Sequence, residues 1–304
     1  MKKIGKIIKN NYKIVLGIMI GILITGTTVY AATAIAGKDI TYSNTTSGLS
    51  ATTVQGAIDE IYEKSKTHCP EGYSCINKPK SFSADSWDTI AKNVKIGNIS
   101  AYNVGDTKTI DMGSLGTHTV RVANTSSCTN GETSETACGF VVEFADIITT
   151  HTMNSDITNV GGWPASAMRT YVNGTIYNAL PSDLQGIIAD TTVVSGHGST
   201  EGEENFTSTD KLYLLSTKEV LNGGTGYDTA EAETRQLDYY KNLGVTTSNK
   251  SGVIKQYNGS NSYWWLRSAA SNTTGSFFGV GSNGVWILNI AYYTDGVSPA
   301  FRIA

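Results

Sequence analysis

The chain has 304 residues, enough for one large domain or two smaller ones, and a net charge of −3 with only 16% of residues charged. No basic surplus is present to neutralise phosphates, so nucleic acid is excluded as a partner. Glycine is abundant (32), proline is scarce (5), and polarity comes mainly from Ser, Thr and Asn, a profile that fits an extracellular, loop-rich, β-containing protein better than a cytosolic helical enzyme.

Residues 1–36 read as a separate object. Lys2, Lys3, Lys6, Lys9 and Lys13 make a positive start, and Ile14 to Ala36 carries no charge. A helix of that length spans roughly 34 Å, enough to cross a bilayer. The lysines would stay in the cytoplasm and the remainder would face outward. Val29-Tyr30-Ala31 has the small-x-small pattern of a signal-peptidase cut, whereas Gly17 and Gly21 offer a helix-packing face for a retained anchor. Both alternatives export residues 37–304, to the cell surface if the anchor is kept and in secreted form if it is cut.

Residues 37–80 read as a linker and a short stalk. In "LSATTVQGAIDEIYEKSK", Ser50 can cap a helix, and Val54, Ala57, Ile58 and Ile61 form one apolar stripe. Two turns of stripe do not fold alone, so the helix is expected to pack on the domain, on the membrane or on copies of itself. Cys69 and Cys75 follow, and Cys128 and Cys138 lie further on. Neither spacing is the short knuckle preferred by zinc. In an oxidising compartment each pair can close a local disulfide loop. Four free thiols, or a four-thiolate metal site, are the alternatives.

Residues 81–304 read as one α+β domain with mostly antiparallel sheets. "SWDTIAKNV" predicts a short helix. "TKTIDM" and "HTVRVANT" predict strands, and in "GFVVEFADII" Phe140, Val142 and Phe144 share one strand face. "GGWPASAMRTYVNGTIYNALPSDLQGIIAD" predicts two helices, with Pro164 at the start of the first and Pro181-Ser182 restarting the chain. "TTVVSGHG" and "KLYLLSTKEV" predict strands, and "TAEAETRQLDYYKNLGV" predicts a helix ending at Gly244.

The aromatic segment Tyr263 to Asn289 alternates with period two. Trp264 and Leu266 are expected in the core with Phe301 and Ile303, and Arg267 and Arg302 are expected to hold buried carboxylates or carbonyls. "SFFGVGSNGVWILNI" predicts a hairpin turning at Asn283-Gly284. One member of each pair Phe277/Phe278 and Trp286/Ile287 should be core and the other should face outward. With the intervening turns, the outward candidates for ligand binding are Asn272, Thr273, Phe277, Asn283, Trp286, Tyr292 and Tyr293. Aromatics among small polar residues suit recognition, giving large contact area at little rotamer entropy.

Two resemblances bear on these segments. "SGLSATTVQGAIDEIY" is similar to short segments in the stems of phage tail fibres and other trimeric surface fibres, which implies a homo-oligomer through residues 50–66. From about Phe82, the ordered pieces "DSWDTI", "VGDTKTIDM", "CGFVVEFADII", "GGWPASAMRTYVN", "VVSGHG", "TSTDKLYLLSTKEV", "YWWLRS" and "SPAFRI" resemble a domain of unknown function common in surface and phage-related proteins of gut Firmicutes. The terminal pattern also resembles the end of the C-type-lectin-like fold shared by formylglycine-generating enzymes and by the variable proteins of diversity-generating retroelements. That resemblance implies a C-type-lectin-like C-terminal half whose strands display ligand-binding residues.

Catalysis has little support in the sequence. Formylglycine generation works through late cysteines, and no cysteine follows Cys138. A Ser-His-Asp arrangement would have to use His68, His118, His151 or His197. Only Ser195 and His197 in "SGHG" invite attention, and there is no nucleophile elbow. The oxygen-rich stretches around Asp210, Glu201 to Asn205 and Asp295 lack the loop pattern of a calcium site. The expectation is therefore an exported, membrane-associated, non-catalytic module that recognises a protein or glycan on a surface, with no cofactor and no metal. The alternative is a structural fibre or assembly subunit, and an enzyme comes third.

Overall fold

A computed structural model describes residues 36–43, 49–67, 79–200 and 202–304. The expected membrane helix, Ala36 apart, and the Cys69/Cys75 pair lie outside the described residues. Among the described residues no helix is long and apolar enough to cross a membrane. The chain divides into two compact units, Met1–Cys75 and Ile76–Ala304.

The first unit holds the helix Val54–Thr67. Its cap is Thr53, not Ser50: the Gly56 amide donates to Thr53 Oγ1 at 3.1 Å. Ser50 is drawn elsewhere, because the Ser50 and Ala51 amides both donate to the Glu60 carboxylate, at 2.7 and 2.8 Å. The apolar stripe is only partly covered. Ala57 is buried, whereas Ile58, Ile61 and Tyr62 are exposed.

The second unit is α+β with mostly antiparallel sheets. One sheet has four strands in the order β1-β2-β3-β13 (Thr107–Asp111, Thr117–Asn124, Phe140–Phe144, Ala300–Ile303). The last strand returns to pair with β3, placing Phe301 opposite Val142 and Ile303 opposite Phe140. All of β3 is buried because both faces are covered. On the Phe140 face, Phe82, Trp87 and Tyr102 form an edge-to-face ring cluster. Trp87 opens the helix Trp87–Lys95, which Ser86 caps by accepting from the Thr89 amide, and Phe82 and Tyr102 lie before and after that helix. The other face carries Glu143, buried with Arg121 at 2.9 Å and Lys255 at 2.8 Å.

The second sheet has five strands in the order β11-β10-β9-β12-β4 (Trp286–Ile290, Ser276–Val280, Trp264–Ala269, Thr294–Val297, Thr149–Thr152). Every residue of β9 is buried, so Trp264 and Trp265 both lie in the core although they point to opposite faces. The predicted β10–β11 hairpin is present, with Phe278 opposite Leu288 and Gly284 at φ 81° in its turn. Gly279 is required where β10 crosses β9, because a Cβ there would lie 2.8 Å from the Trp264 carbonyl. Two further strand pairs complete the unit: β5 (Thr191–Ser195) with β6 (Phe206–Asp210), and β7 (Lys255–Tyr257) with β8 (Ser260–Ser262). Asn258 and Gly259, both at positive φ, form the two-residue turn of the latter.

Three predicted segments differ. "KLYLLSTKEV" is not a strand. Leu212 to Leu215 pass through the core with one bridge, Tyr213 to Ala300, and Thr217–Leu221 is a helix. Ser216 and Glu219 form a capping box that starts this helix. The long helix expected to end at Gly244 shrinks to a single 3₁₀ turn, Glu231–Glu233, and a short helix, Asp238–Asn242. Between them, Thr234 donates to the buried Glu219 carboxylate at 2.9 Å and the Leu237 amide donates to the Glu219 carbonyl, which holds the chain out of helix. The two helices expected over 161–190 are broken into Gly162–Ala165, Ala167–Tyr171, a π turn at Val172–Ile176, Tyr177–Ala179 and Ser182–Gln185.

Candidate functional site

The connection from β9 to β10, Ser271 to Gly275, organises the open end of the β10–β11 hairpin. Three other segments are hydrogen-bonded to it. The Ser271 amide donates to the Tyr227 carbonyl at 2.9 Å, the Ala291 amide to the Gly275 carbonyl at 2.9 Å, and the Asn159 amide to the Thr274 carbonyl at 3.1 Å. Asn159 is fully buried and acts as a clasp. Its Nδ2 donates to the carbonyls of Ala270, Thr273 and Ser276, and its Oδ1 accepts from the Ser199 hydroxyl at 2.7 Å. It thereby ties Ser271 to Gly275 to the loop that follows β5.

That loop carries Gly196-His197-Gly198. Its glycines are needed for close approach. A Cβ at Gly196 would lie 2.9 Å from Thr229 Oγ1 and 3.0 Å from Asp228 Oδ1, and one at Gly198 would lie 2.9 Å from the Asn159 carbonyl. His197 is thus wedged between the Asp228-Thr229 segment and the Asn159 clasp, and its amide donates to Thr229 Oγ1 at 3.2 Å.

Two clefts open on either side of His197. The smaller, about 210 Å³, lies between His197 to Thr200 and Ser271 to Thr274. Its walls hold hydroxyls, the Asn272 amide and the imidazole, and no carboxylate, lysine or arginine lines it. The larger, about 630 Å³, is bounded by Glu203, Glu204 and Glu233 with hydroxyls of Thr133, Thr192 and Thr229. No lysine or arginine lines either cleft. His197 Nδ1 and Thr273 Oγ1 are shielded from solvent and have no hydrogen-bond partner among the described residues, a condition that costs stability until a partner is supplied.

Beneath the clefts lies a buried polar layer. Arg267 meets Glu219 through both oxygens, at 2.5 and 2.6 Å, and donates to the Leu214 carbonyl. Burial would raise the Glu219 carboxyl, but the Arg267 guanidinium overrides it and holds the group below the ordinary carboxylate range. Asp228 lacks such a partner. Burial pushes its carboxyl up, against the opposing hydrogen bonds from Ser268 and Thr217. The Cys128–Cys138 disulfide, with Cα atoms 5.0 Å apart, closes the loop that delivers Thr133 to the larger cleft and Thr136 to Glu219.

The residues expected to bind ligand separate into three groups. Asn272, Thr273, Tyr292 and Tyr293 lie at the open end of the hairpin. Asn283 and Trp286 lie at its closed end, roughly 14 Å away along β10. There Asn283 Oδ1 accepts from the Val285 amide, and Trp286 packs on Phe278 with ring centroids 5.8 Å apart. Phe277 reaches no surface. It is fully buried, as is Phe278, because β10 is covered on both faces, so the expectation of one inward and one outward phenylalanine is corrected. Arg267 holds a buried carboxylate as expected, that of Glu219, whereas the carboxylate that Arg302 meets, that of Glu135, is partly exposed and not buried. The sequence reading missed Asn159 and Tyr227. A lone asparagine or tyrosine in a loop gives no periodic signal.

Ser195 Oγ is also without a partner among the described residues, so Ser195 and His197 make no nucleophile–base contact. Among the described residues, no group of three or more His, Cys, Asp and Glu is placed to hold a metal ion.

Comparison with curated proteins and with solved structures found no match. Residues 141–304, more than half of the chain, match the family described as a domain of unknown function, DUF6273, and the chain belongs to that family.

Proposed function

We propose that this chain is a non-catalytic, exported surface protein that recognises a ligand, protein or glycan, through the open end of the β10–β11 hairpin. One observation carries the reading. Five of the seven exposed large apolar side chains described in the second unit gather there: Ile157 (61%), Val160 (58%), Tyr227 (41%), Tyr292 (42%) and Tyr293 (43%) lie in or beside segments bonded to the Ser271 to Gly275 connection, whereas Leu243 and Tyr263 lie elsewhere. Exposed apolar groups gathered in this way, beside clefts lined with polar groups, mark an interaction surface. Export is supported by the charged-then-apolar N-terminal sequence and by the Cys128–Cys138 disulfide. The C-type-lectin-like assignment of the C-terminal half belongs to the same proposal, supported by the return of β13 to β3 and by long connections displayed on short strands.

The test is capture of cell-surface material by the full chain. Replacing Tyr292 and Tyr293 with alanine should leave thermal unfolding unchanged and abolish capture. Retained capture, or loss of the fold, sinks the reading.

A second reading, an assembly or fibre subunit, is favoured by Ile58, Ile61 and Tyr62, which stand exposed on the helix Val54–Thr67 at helical spacing. It predicts an oligomer of the full chain that dissociates when residues 50–66 are deleted. A monomer by light scattering rules it out.

A further inference from the structure

We infer that the smaller cleft, between His197 to Thr200 and Ser271 to Thr274, takes one ring of an uncharged saccharide. The inference rests on the recognition reading above and specifies the chemistry of its ligand. Size is the first argument. At about 210 Å³ the cleft is below the ~300–1,000 Å³ typical of drug-sized sites, so it admits a single small ring and not a folded peptide segment.

Wall chemistry is the second. Ser271, Thr273 and Thr274 contribute hydroxyls that can donate and accept, Thr200 also accepts from the Gly161 amide, Ser199, which donates to Asn159, can only accept, and Asn272 contributes an amide with both roles. A sugar hydroxyl has the same dual character. A charged group entering here would lose water and find no carboxylate, lysine or arginine on the walls, which is costly. Two polar atoms without partners among the described residues, His197 Nδ1 and Thr273 Oγ1, are both on residues of this cleft; they are shielded from water, so a ligand hydroxyl reaches either only after its side chain turns towards the cleft.

The surroundings are the third argument. Tyr227, Tyr292 and Tyr293 are exposed on segments bonded to the same connection. They offer flat apolar faces for the C–H side of a sugar ring. On the far side of His197, Glu203 and Glu204 make no ion pair or hydrogen bond among the described residues. Their field repels a ligand that carries carboxylate or phosphate, and no lysine or arginine in either cleft offsets it. The specificity is therefore for hydroxyl-rich, uncharged termini, with an acidic screen against anionic ones.

An array tests this with the full chain. It would carry oligosaccharides ending in N-acetylglucosamine or galactose, the same cores capped with a carboxylate sugar, glucosamine oligomers with free amines, and unglycosylated proteins. Capture should be strongest on the uncharged termini and at least ~tenfold weaker on the carboxylate-capped ones. Asn272→Ala with Thr273→Val should reduce capture at least ~tenfold, the loss of roughly one or two ligand hydrogen bonds. Glu203→Gln with Glu204→Gln, both at exposed positions, should raise capture of the carboxylate-capped cores, and this gain does not depend on the first variant folding. Preference for anionic or amine termini overturns the inference, as does an unaltered preference in the Glu203/Glu204 variant. Capture of unglycosylated protein alone overturns it too, but leaves surface recognition standing. No capture on any surface overturns both.

Discussion

Arg267 is enclosed, and its charge is tolerated because Glu219 meets it with two oxygens while Thr136 and Thr234 satisfy the same carboxylate. A pair of this kind is costly to break, because the surviving charge is stranded out of water. Glu219→Gln should destabilise the fold by about 3–5 kcal/mol, read from urea unfolding. Glu219 and Glu143 are both held below the ordinary 4.5 of a glutamate: burial raises each carboxyl, and the neighbouring cations overcome it. Their folded pKa values lie below the unfolded ones. The stability they contribute is therefore present above that value and is lost as pH falls through the folded values. Lys255 works in the opposite sense. Burial pushes its ammonium down from 10.5 to about 8, against the pull of Glu143. Folding therefore disfavours the protonated form, and stability should rise as pH climbs from about 8 towards 10.5. A melting temperature that is flat on acidification below about pH 4.5 would contradict the carboxylate assignment. At Asn159 the expected effect is local. Asn159→Ala removes the clasp and should cost about 2–3 kcal/mol, a few hydrogen bonds at roughly 1 kcal/mol each. Hydrogen exchange should speed up over residues 196–200 and 270–276 while the β1-β2-β3-β13 sheet keeps its protection.

Elements with a clear period were legible in the sequence. The strands β1, β2, β3 and β5, the helix Trp87–Lys95 and the β10–β11 hairpin all follow from alternation, an N-cap or a turn dipeptide. Leu212 to Leu215 misled because a continuous apolar run reads equally as a buried strand or a buried coil. The signal that settles the next element, Ser216 three residues before Glu219, was present and is the signature of a capping box. The stretch from Thr229 to Val245 could not be read locally, because its course follows the buried Glu219 carboxylate and backbone carbonyl, a tertiary contact that outweighs helix propensity. Nor does alternation reveal whether a strand is covered on one face or two, which is why Phe277 was placed outside. The disulfide loop is an element in the same sense. Cys128–Cys138 spans a sequence separation of 10 and holds Thr136 on Glu219. Serine at both positions should lower stability by roughly 2–4 kcal/mol in thermal unfolding, and reductant should mimic the change in the unaltered chain.

For the molecule as a whole, two units and two ends of one hairpin matter. Four of the seven residues chosen from sequence, Asn272, Thr273, Tyr292 and Tyr293, are brought to one end by hydrogen bonds between segments far apart in the chain. Their selection rested on turn chemistry and exposed aromatics, which a single sequence shows. Their conjunction with His197, Asn159 and Tyr227 depends on topology, which it does not. The central claim is that this open end, not the closed end with Asn283, is the recognition surface. The most direct measurement compares cell-surface capture by the full chain, by Tyr292→Ala/Tyr293→Ala and by Asn283→Ala/Tyr263→Ala, with thermal unfolding recorded for each. Both pairs are exposed, so unfolding should change by no more than about 0.5 kcal/mol for Tyr292/Tyr293 and about 1 kcal/mol for Asn283/Tyr263, which loses the Asn283 bond to the Val285 amide. The account predicts that capture is lost only in the Tyr292/Tyr293 variant. Loss only in the Asn283/Tyr263 variant, or in neither, would contradict it.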